Sequence, residues 1–234
     1  MAGMSMCRIG LLLWAALAVC AGRASAQTMI VPHEPPNLGR LQMRLKDYHD
    51  CKGNHGCYAA DLNYETGQAI RALNRLVRDD GRGAKLAAVL DIDETSLSNY
   101  AEIAGADFAY NEQAWDAWVA RADAPAIPGT LRFWREAQQL HVAVFFITGR
   151  PESQRTATER NLRNQGYLRW DGLVMRSPAE ANVPTIEYKA AARRKIAAAG
   201  YTIAVNMGDQ MSDLKGSPEA QVSVKLADPF YFIP

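Results

Sequence analysis

Leu86 to Leu90 is an unbroken apolar run that stops abruptly at Asp91-Ile92-Asp93-Glu94-Thr95. A short run without polar alternation predicts a strand buried on both faces, as at the centre of a parallel sheet. Three acids in four residues at the end of such a strand are costly unless a cation neutralises them. Side chains two apart in an extended chain share a side, so Asp91 and Asp93 face one place while Ile92 packs away. Taken alone, the stretch fits an acidic turn as well as a ligand site. What the other strand ends carry decides between them.

Four further runs read as strands: Val142–Ile147, Leu173–Met175, Tyr201–Asn206 and, at an edge, Val222–Leu226. Helical patterns separate them, over Pro128–Leu140, Glu152–Gln165 and Glu187–Ala199. Strands alternating with helices predict an α/β fold, a Rossmann-type parallel sheet sandwiched by helices. Two helices, Leu38–Tyr48 and Tyr58–Arg78, form a preface before the first strand. Residues 96–126 form an insertion after it, holding Tyr100, Phe108, Tyr110, Trp115 and Trp118. Trp115 and Trp118 lie three apart on an expected helix, Glu112–Arg121, either as a small core for the insertion or as a lid that stacks on a ring. The expected division is a leader (1–26), a helical segment (27–84) and a core (85–234) with its insertion.

The leader follows from Arg8, the apolar stretch Ile9–Ala21 and the small-residue site Ala24-Ser25-Ala26. That apolar stretch is too short for a membrane span, and the pattern is that of an export signal cleaved near Ala26. The protein is therefore expected in the periplasm or outside the cell, without a span after cleavage. Cys20 as a lipid-anchor cysteine is the rival reading. Removing Met1–Ala26 takes away Arg8 and Arg23 and no acid, leaving 24 basic residues against 25 acidic. A near-neutral chain gives no case for a nucleic-acid polymer or an acidic membrane surface as partner. Cys51 and Cys57 remain, an even pair in an exported chain, which favours a disulfide. With His49 and His55 they also form a cluster of zinc-ligand type.

Three strand ends carry reactive groups: Asp91 and Asp93, Thr148, and Asp209 with Asp213. Parallel strands bring those ends to one edge, where ligands of open α/β sheets bind. The set fits phosphoryl transfer through an aspartyl-phosphate. Asp91 is expected to attack phosphorus, and Asp93 to serve as general acid and then base. The Thr148 hydroxyl and nearby backbone N–H groups, Gly149 among them, would hold the phosphoryl oxygens. A hard divalent cation, Mg²⁺, would keep Asp91 ionised on ligands from Asp91, Asp93 (through its carbonyl) and Asp209, with Asp213 supporting the metal from behind them or through water. Lys189 and Arg150 compete as the fixed positive charge.

The runs Asp91-Ile92-Asp93-Glu94-Thr95, Ile147-Thr148-Gly149-Arg150, Lys189 and Gly208-Asp209-Gln210-Met211-Ser212-Asp213 together resemble the four motifs of the haloacid dehalogenase (HAD) superfamily. The match is to its secreted acid phosphatase branch, subfamily IIIB, which holds plant vegetative-storage-type and bacterial class C acid phosphatases. Trp115 and Trp118 ahead of Ala126-Ile127-Pro128-Gly129 resemble that branch, and the closing Val224-Lys225-Leu226-Ala227-Asp228-Pro229-Phe230-Tyr231-Phe232-Ile233-Pro234 resembles its plant members. The resemblance implies Asp91 as nucleophile, Asp93 as acid/base and Thr148 and Lys189 as phosphate ligands. It also implies Mg²⁺ on Asp91, Asp93 and Asp209, and a small phosphate monoester, nucleotide or aryl, as substrate. A phosphotransferase would need the same groups, and a non-catalytic storage or binding relative is the rival outside enzymes. Asp93, a leaving-group acid that halide release does not need, speaks against a dehalogenase.

Overall fold

The apolar run forms the middle strand. In the computed structural model β1 (Lys85–Leu90) lies at the centre of a five-stranded sheet. On one side stand β2 (Ala143–Pro151) and β3 (Gly172–Arg176); on the other, β4 (Tyr201–Gly208) and the edge strand β5 (Val222–Lys225). Every pairing is parallel. The structure describes residues 31, 33–54, 56–79 and 83–233, so the expected leader, Cys20 and His55 lie outside the described residues.

Strand alternation divides the core in two. Ala88 and Leu90 face a large apolar cluster shared with α2 (Tyr58–Asp79) and α5 (Pro128–Gln139). Ala87 and Val89 face a smaller one under α7 (Thr185–Ala198), built with Ile147, Tyr188, Ala192, Ile196 and Ile203. A strand covered by helices on both faces has no use for polar residues, which is why the run is continuous.

Most boundaries lie within two residues of expectation, and two differ by more. β2 continues past Ile147 to Pro151, because Pro151 pairs with Arg176 after a register shift. Thr148, Gly149 and Arg150 therefore fall in the irregular stretch between the paired Ile147 and Pro151. The expected helix at Glu152 opens as a 3-10 turn over Glu152–Gln154, and α6 proper is Arg155–Asn164.

In the preface, α1 (Leu38–His49) joins α2 across a Cys51–Cys57 disulfide. Both thiols are consumed by the bridge, which removes them as zinc ligands. The preface also grips the insertion: Lys46 Nζ donates to Asp107 Oδ1 at 2.8 Å, and the His49 ring stacks on Tyr100. The insertion itself holds α3 (Tyr100–Gly105) and α4 (Glu112–Arg121). Among the described residues no helix is long and apolar enough to cross a membrane.

Candidate active site

The carboxyl ends of β1, β2 and β4 open into one cleft of about 680 Å³. Asp91, Asp93, Gly149, Arg150, Lys189, Asp209 and Asp213 line its floor. Ile92, between the two acids, is fully buried in the apolar core, as two-residue periodicity requires.

The loop after β1 is knitted tightly. The Ile92 carbonyl accepts from the N–H groups of Thr95, Ser96 and Leu97, and Ser96 Oγ donates to the Asp91 carbonyl at 2.6 Å. Glu94 is fully buried at φ 49°, a left-handed conformation that a non-glycine residue holds only when its surroundings impose it. Asn99 imposes it: its N–H and its Nδ2 donate to the two Glu94 carboxylate oxygens, at 2.5 and 2.8 Å. Burial pushes Glu94 up to about 8.

Asp91 and Asp93 face the same cleft yet take different partners. Lys189 Nζ bonds Asp91 Oδ1 and, at 2.5 Å, Asp213 Oδ1. Asp93 is held by Arg150 in a fork, with Nη2 to Oδ1 at 2.6 Å and Nε to Oδ2 at 3.2 Å, and by Asn99 Nδ2 at 2.9 Å. The two cations take different acids. Lys189 sits on Asp91; the guanidinium of Arg150 is buried against Asp93, with Nη1 on Thr158 Oγ1 at 3.1 Å.

Asp91, Asp209 and Asp213 form a buried set whose oxygens lie within 4.8 Å of one another. The side chain of Asp93 is not part of it: the Arg150 fork holds that carboxylate, and the ligand expected of Asp93 is its main-chain carbonyl. Asp209 is braced by Thr95 Oγ1 at 3.0 Å, Gln210 Nε2 at 2.8 Å and the Tyr231 hydroxyl at 2.9 Å. Asp213 packs so closely on the end of β4 that a Cβ on Gly208 would meet its Oδ2 at 2.3 Å, so only glycine fits there.

Burial pushes Asp91 up; the Lys189 ammonium pulls it down, and Asp213, Asp209 and Asp93 push it up again, leaving it well above the usual carboxylate range. Asp209 is raised likewise, by burial first and by Asp213 and Asp228 next. For Lys189 burial works against the charge, but Asp213 and Asp91 outweigh it and lift the ammonium further.

Thr148 is fully buried and does not itself line the cleft, although Gly149 beside it does. Thr148 Oγ1 accepts from the Arg150 N–H at 3.2 Å, which leaves its hydroxyl proton free to donate. The two tryptophans stand in different surroundings. Trp115 lines the cleft. Trp118 is buried, and its Nε1 donates to Asn99 Oδ1 at 2.8 Å. Four contacts are not assigned from the sequence: those of Asn99, Gln210 and Tyr231, and the fork that Arg150 makes on Asp93. Phe230, Tyr231, Phe232 and Ile233 bring the closing segment against the cleft.

The family model described as "HAD superfamily, subfamily IIIB (Acid phosphatase)" matches residues 23–234. Acid phosphatase 1 of Solanum lycopersicum is 34% identical over 172 residues, covering 72% of this chain and 66% of that protein. A stem 28 kDa glycoprotein of Glycine max is 33% identical over 190 residues, covering 76% of this chain and 75% of its own length. The class C acid phosphatase from Bacillus anthracis superposes with a TM-score of 0.66 at 22% identity, covering 83% of this chain and 86% of that one, which shows a shared fold. With the match spanning the whole core and the strand-end acids gathered in one cleft, the chain belongs to subfamily IIIB of the HAD superfamily, the acid phosphatases.

Proposed function

We propose that this chain hydrolyses small phosphate monoesters through an aspartyl-phosphate on Asp91, with Mg²⁺ as cofactor. The observation that carries the reading is the Lys189 bridge between Asp91 and Asp213 beside Asp209, on the floor of an open cleft.

The residues present fit a hard divalent cation. Asp91, Asp209 and Asp213 offer oxygens only, and one ammonium faces three buried carboxylates. The upward pressure on Asp91 and Asp209 marks a set short of positive charge. Asp91, Asp209 and Asp213, with the Asp93 carbonyl, would hold the ion. When bound, Mg²⁺ supplies positive charge that keeps the acids ionised and offsets charge on the transferring phosphoryl group.

The chain's own groups then act in turn. A carboxylate oxygen of Asp91 attacks phosphorus. The bond to the leaving oxygen breaks, and its electron pair leaves with that oxygen, which takes a proton from Asp93. Asp93 next removes a proton from water, whose oxygen attacks the same phosphorus. The bond to Asp91 breaks, releasing inorganic phosphate and restoring the carboxylate. Lys189 steadies the Asp91 oxygen before attack. The Gly149 backbone and the Thr148 hydroxyl proton serve the phosphoryl oxygens. Arg150 and Asn99 aim the Asp93 carboxylate. In the same reading the chain is an exported one: a leader (1–26), a helical preface (27–84) and a core (85–234). Its insertion (96–126) overhangs the mouth.

The test is turnover of a chromogenic aryl phosphate across acid to neutral pH, with Mg²⁺, with EDTA, and in Asp91→Asn. Metal-dependent turnover that falls at least about a thousandfold in the variant is expected. A wild-type protein inactive at every pH with metal would be a binding or storage protein. Full activity in Asp91→Asn would mean another nucleophile.

A further inference from the structure

α7 carries a second buried cation that the chemistry above leaves unused. Arg193 lies four residues beyond Lys189, one helical turn on and on the same face. It is fully buried and stands among the largest side chains that are. Burial pushes its pKa down. A guanidinium in that position is costly unless its five N–H groups are matched.

Main-chain carbonyls match four of them. Nε donates to Pro218 O at 2.9 Å, Nη1 to Asp213 O at 2.6 Å, and Nη2 to Gly216 O at 2.7 Å and to Lys215 O. All four carbonyls belong to residues 213–218, the segment that leaves α8 (Met211–Leu214). Asp213 is thereby fastened at both ends. Its carboxylate takes Lys189 Nζ at 2.5 Å and the Gln210 N–H at 2.8 Å. Its carbonyl takes Arg193 and, at 2.9 Å, Asn206 Nδ2. The approach is close: a Cβ on Gly216, which sits at φ 88°, would meet the Ala190 Cβ at 2.9 Å.

We propose that Arg193 is a positioning residue for the metal-binding acids. Resting on the site reading above, α7 acts as a clamp with two rungs. Lys189 neutralises the carboxylates of Asp91 and Asp213, and Arg193 fixes the main chain behind Asp213. Chain freedom at 213–218 would let the third carboxylate drift away from the other two. A planar fork is what the position requires; an ammonium carries the same charge but cannot reach four carbonyls at once.

The test is Arg193→Lys, measured three ways in the full chain. Mg²⁺ uptake is followed by calorimetry, turnover is split into kcat and KM at saturating Mg²⁺, and amide exchange is read across residues 209–218. The expected result is a folded protein whose Mg²⁺ dissociation constant rises about ten- to a hundredfold, the range for losing a group that supports a metal ligand. kcat falls, KM stays within about twofold, and exchange across 209–218 speeds up. A lowered melting temperature with wild-type Mg²⁺ affinity and wild-type exchange would make Arg193 merely structural and overturn the proposal. Should Arg193→Lys not fold, Gly216→Ala disturbs the same row of carbonyls with Arg193 in place. It must show the same loss of Mg²⁺ affinity and the same faster exchange, and wild-type values there overturn the clamp. A wild-type protein that takes up no Mg²⁺ would sink the metal reading instead, while the exchange measurement still decides for or against the clamp.

Discussion

The floor of the cleft and its mouth are built on opposite terms. On the floor every charged group has a named partner: Asp91 with Lys189, Asp93 with Arg150, Asp209 with Tyr231 and Gln210, Asp213 with Lys189. The side chains of Asp91, Lys189 and Asp213 are nearly sealed, at 7%, 5% and 4% exposure. At the mouth, Tyr110 is 75% and Phe232 79% exposed, and both line the same cleft. Buried ion pairs are costly to break, because the group left behind has no water to turn to. Exposed rings are cheap to change. In the proposed reaction the floor holds the reacting groups, and the mouth is free to select the leaving group.

The hardest way to break that contrast is at Lys189. Lys189→Met leaves Asp91, Asp213 and Asp209 facing one another without their ammonium. Removing one partner from a buried pair costs about 3–5 kcal/mol of stability, and losing a preorganised charge at the reacting group costs about a hundred- to a thousandfold in kcat. Both losses are expected together, read by urea unfolding and by steady-state turnover. Excess Mg²⁺ should recover part of the stability and little of the rate, since the ion supplies charge but not the contact to the Asp91 oxygen. A variant as stable and as active as wild type would show that the bridge is not a working part.

The floor also predicts how stability follows pH. Glu94 is pushed from 4.5 to about 8 and Asp228 from 3.8 to about 6, each by burial first. Between its unfolded and folded values each group is protonated in the native state and ionised in the unfolded one. The native state then binds more protons, so stability falls as pH rises through that window. In EDTA, the urea midpoint is expected to be lower at about pH 8 than at about pH 5. Mg²⁺ should flatten the slope, because a cation favours the ionised acids. A midpoint that climbs with pH in EDTA would contradict the burial of these carboxyls.

Much of this floor was legible from the chain because buried strands announce themselves. An apolar run such as Leu86–Leu90 must lie between two helical layers, and acids at its end must meet a cation. That logic reaches Asp91, Asp93, Asp209 and Asp213, and the parallel sheet that aligns them. It stops where partners are chosen by three-dimensional packing. Arg150 follows Gly149 at a strand end, where a phosphate ligand is a natural expectation, yet its fork closes on Asp93. Asn99 sits six residues past Asp93 with no periodicity to mark it, and it bonds Asp93, Glu94 and Trp118 at once. Tyr231 reaches Asp209 from 22 residues away through an irregular tail. On α7, Lys189 and Arg193 share a helix with Arg194 and Lys195, and composition alone does not say which of the four turn inward.

The mouth offers the smallest effect and the sharpest separation of the two regions. Trp115 and Trp118 stand three residues apart, one on the cleft and one in the core. Trp115 also lies under Arg150, whose guanidinium carbon is 5.9 Å from its ring centroid. Trp115→Ala removes a ring that an aromatic leaving group would stack on, a contact of about 1 kcal/mol. KM for an aryl phosphate is expected to rise about fivefold while KM for a small alkyl phosphate stays put. Melting temperature should move little, because the ring is only half-buried. Trp118→Phe should do the reverse: it leaves Asn99 Oδ1 without its indole donor, lowering the melting temperature with no preference between esters. If Trp115→Ala weakened both esters alike, that ring would belong to the floor through Arg150, and the boundary between reaction and selection would have to be drawn further out, at Tyr110 and Phe232.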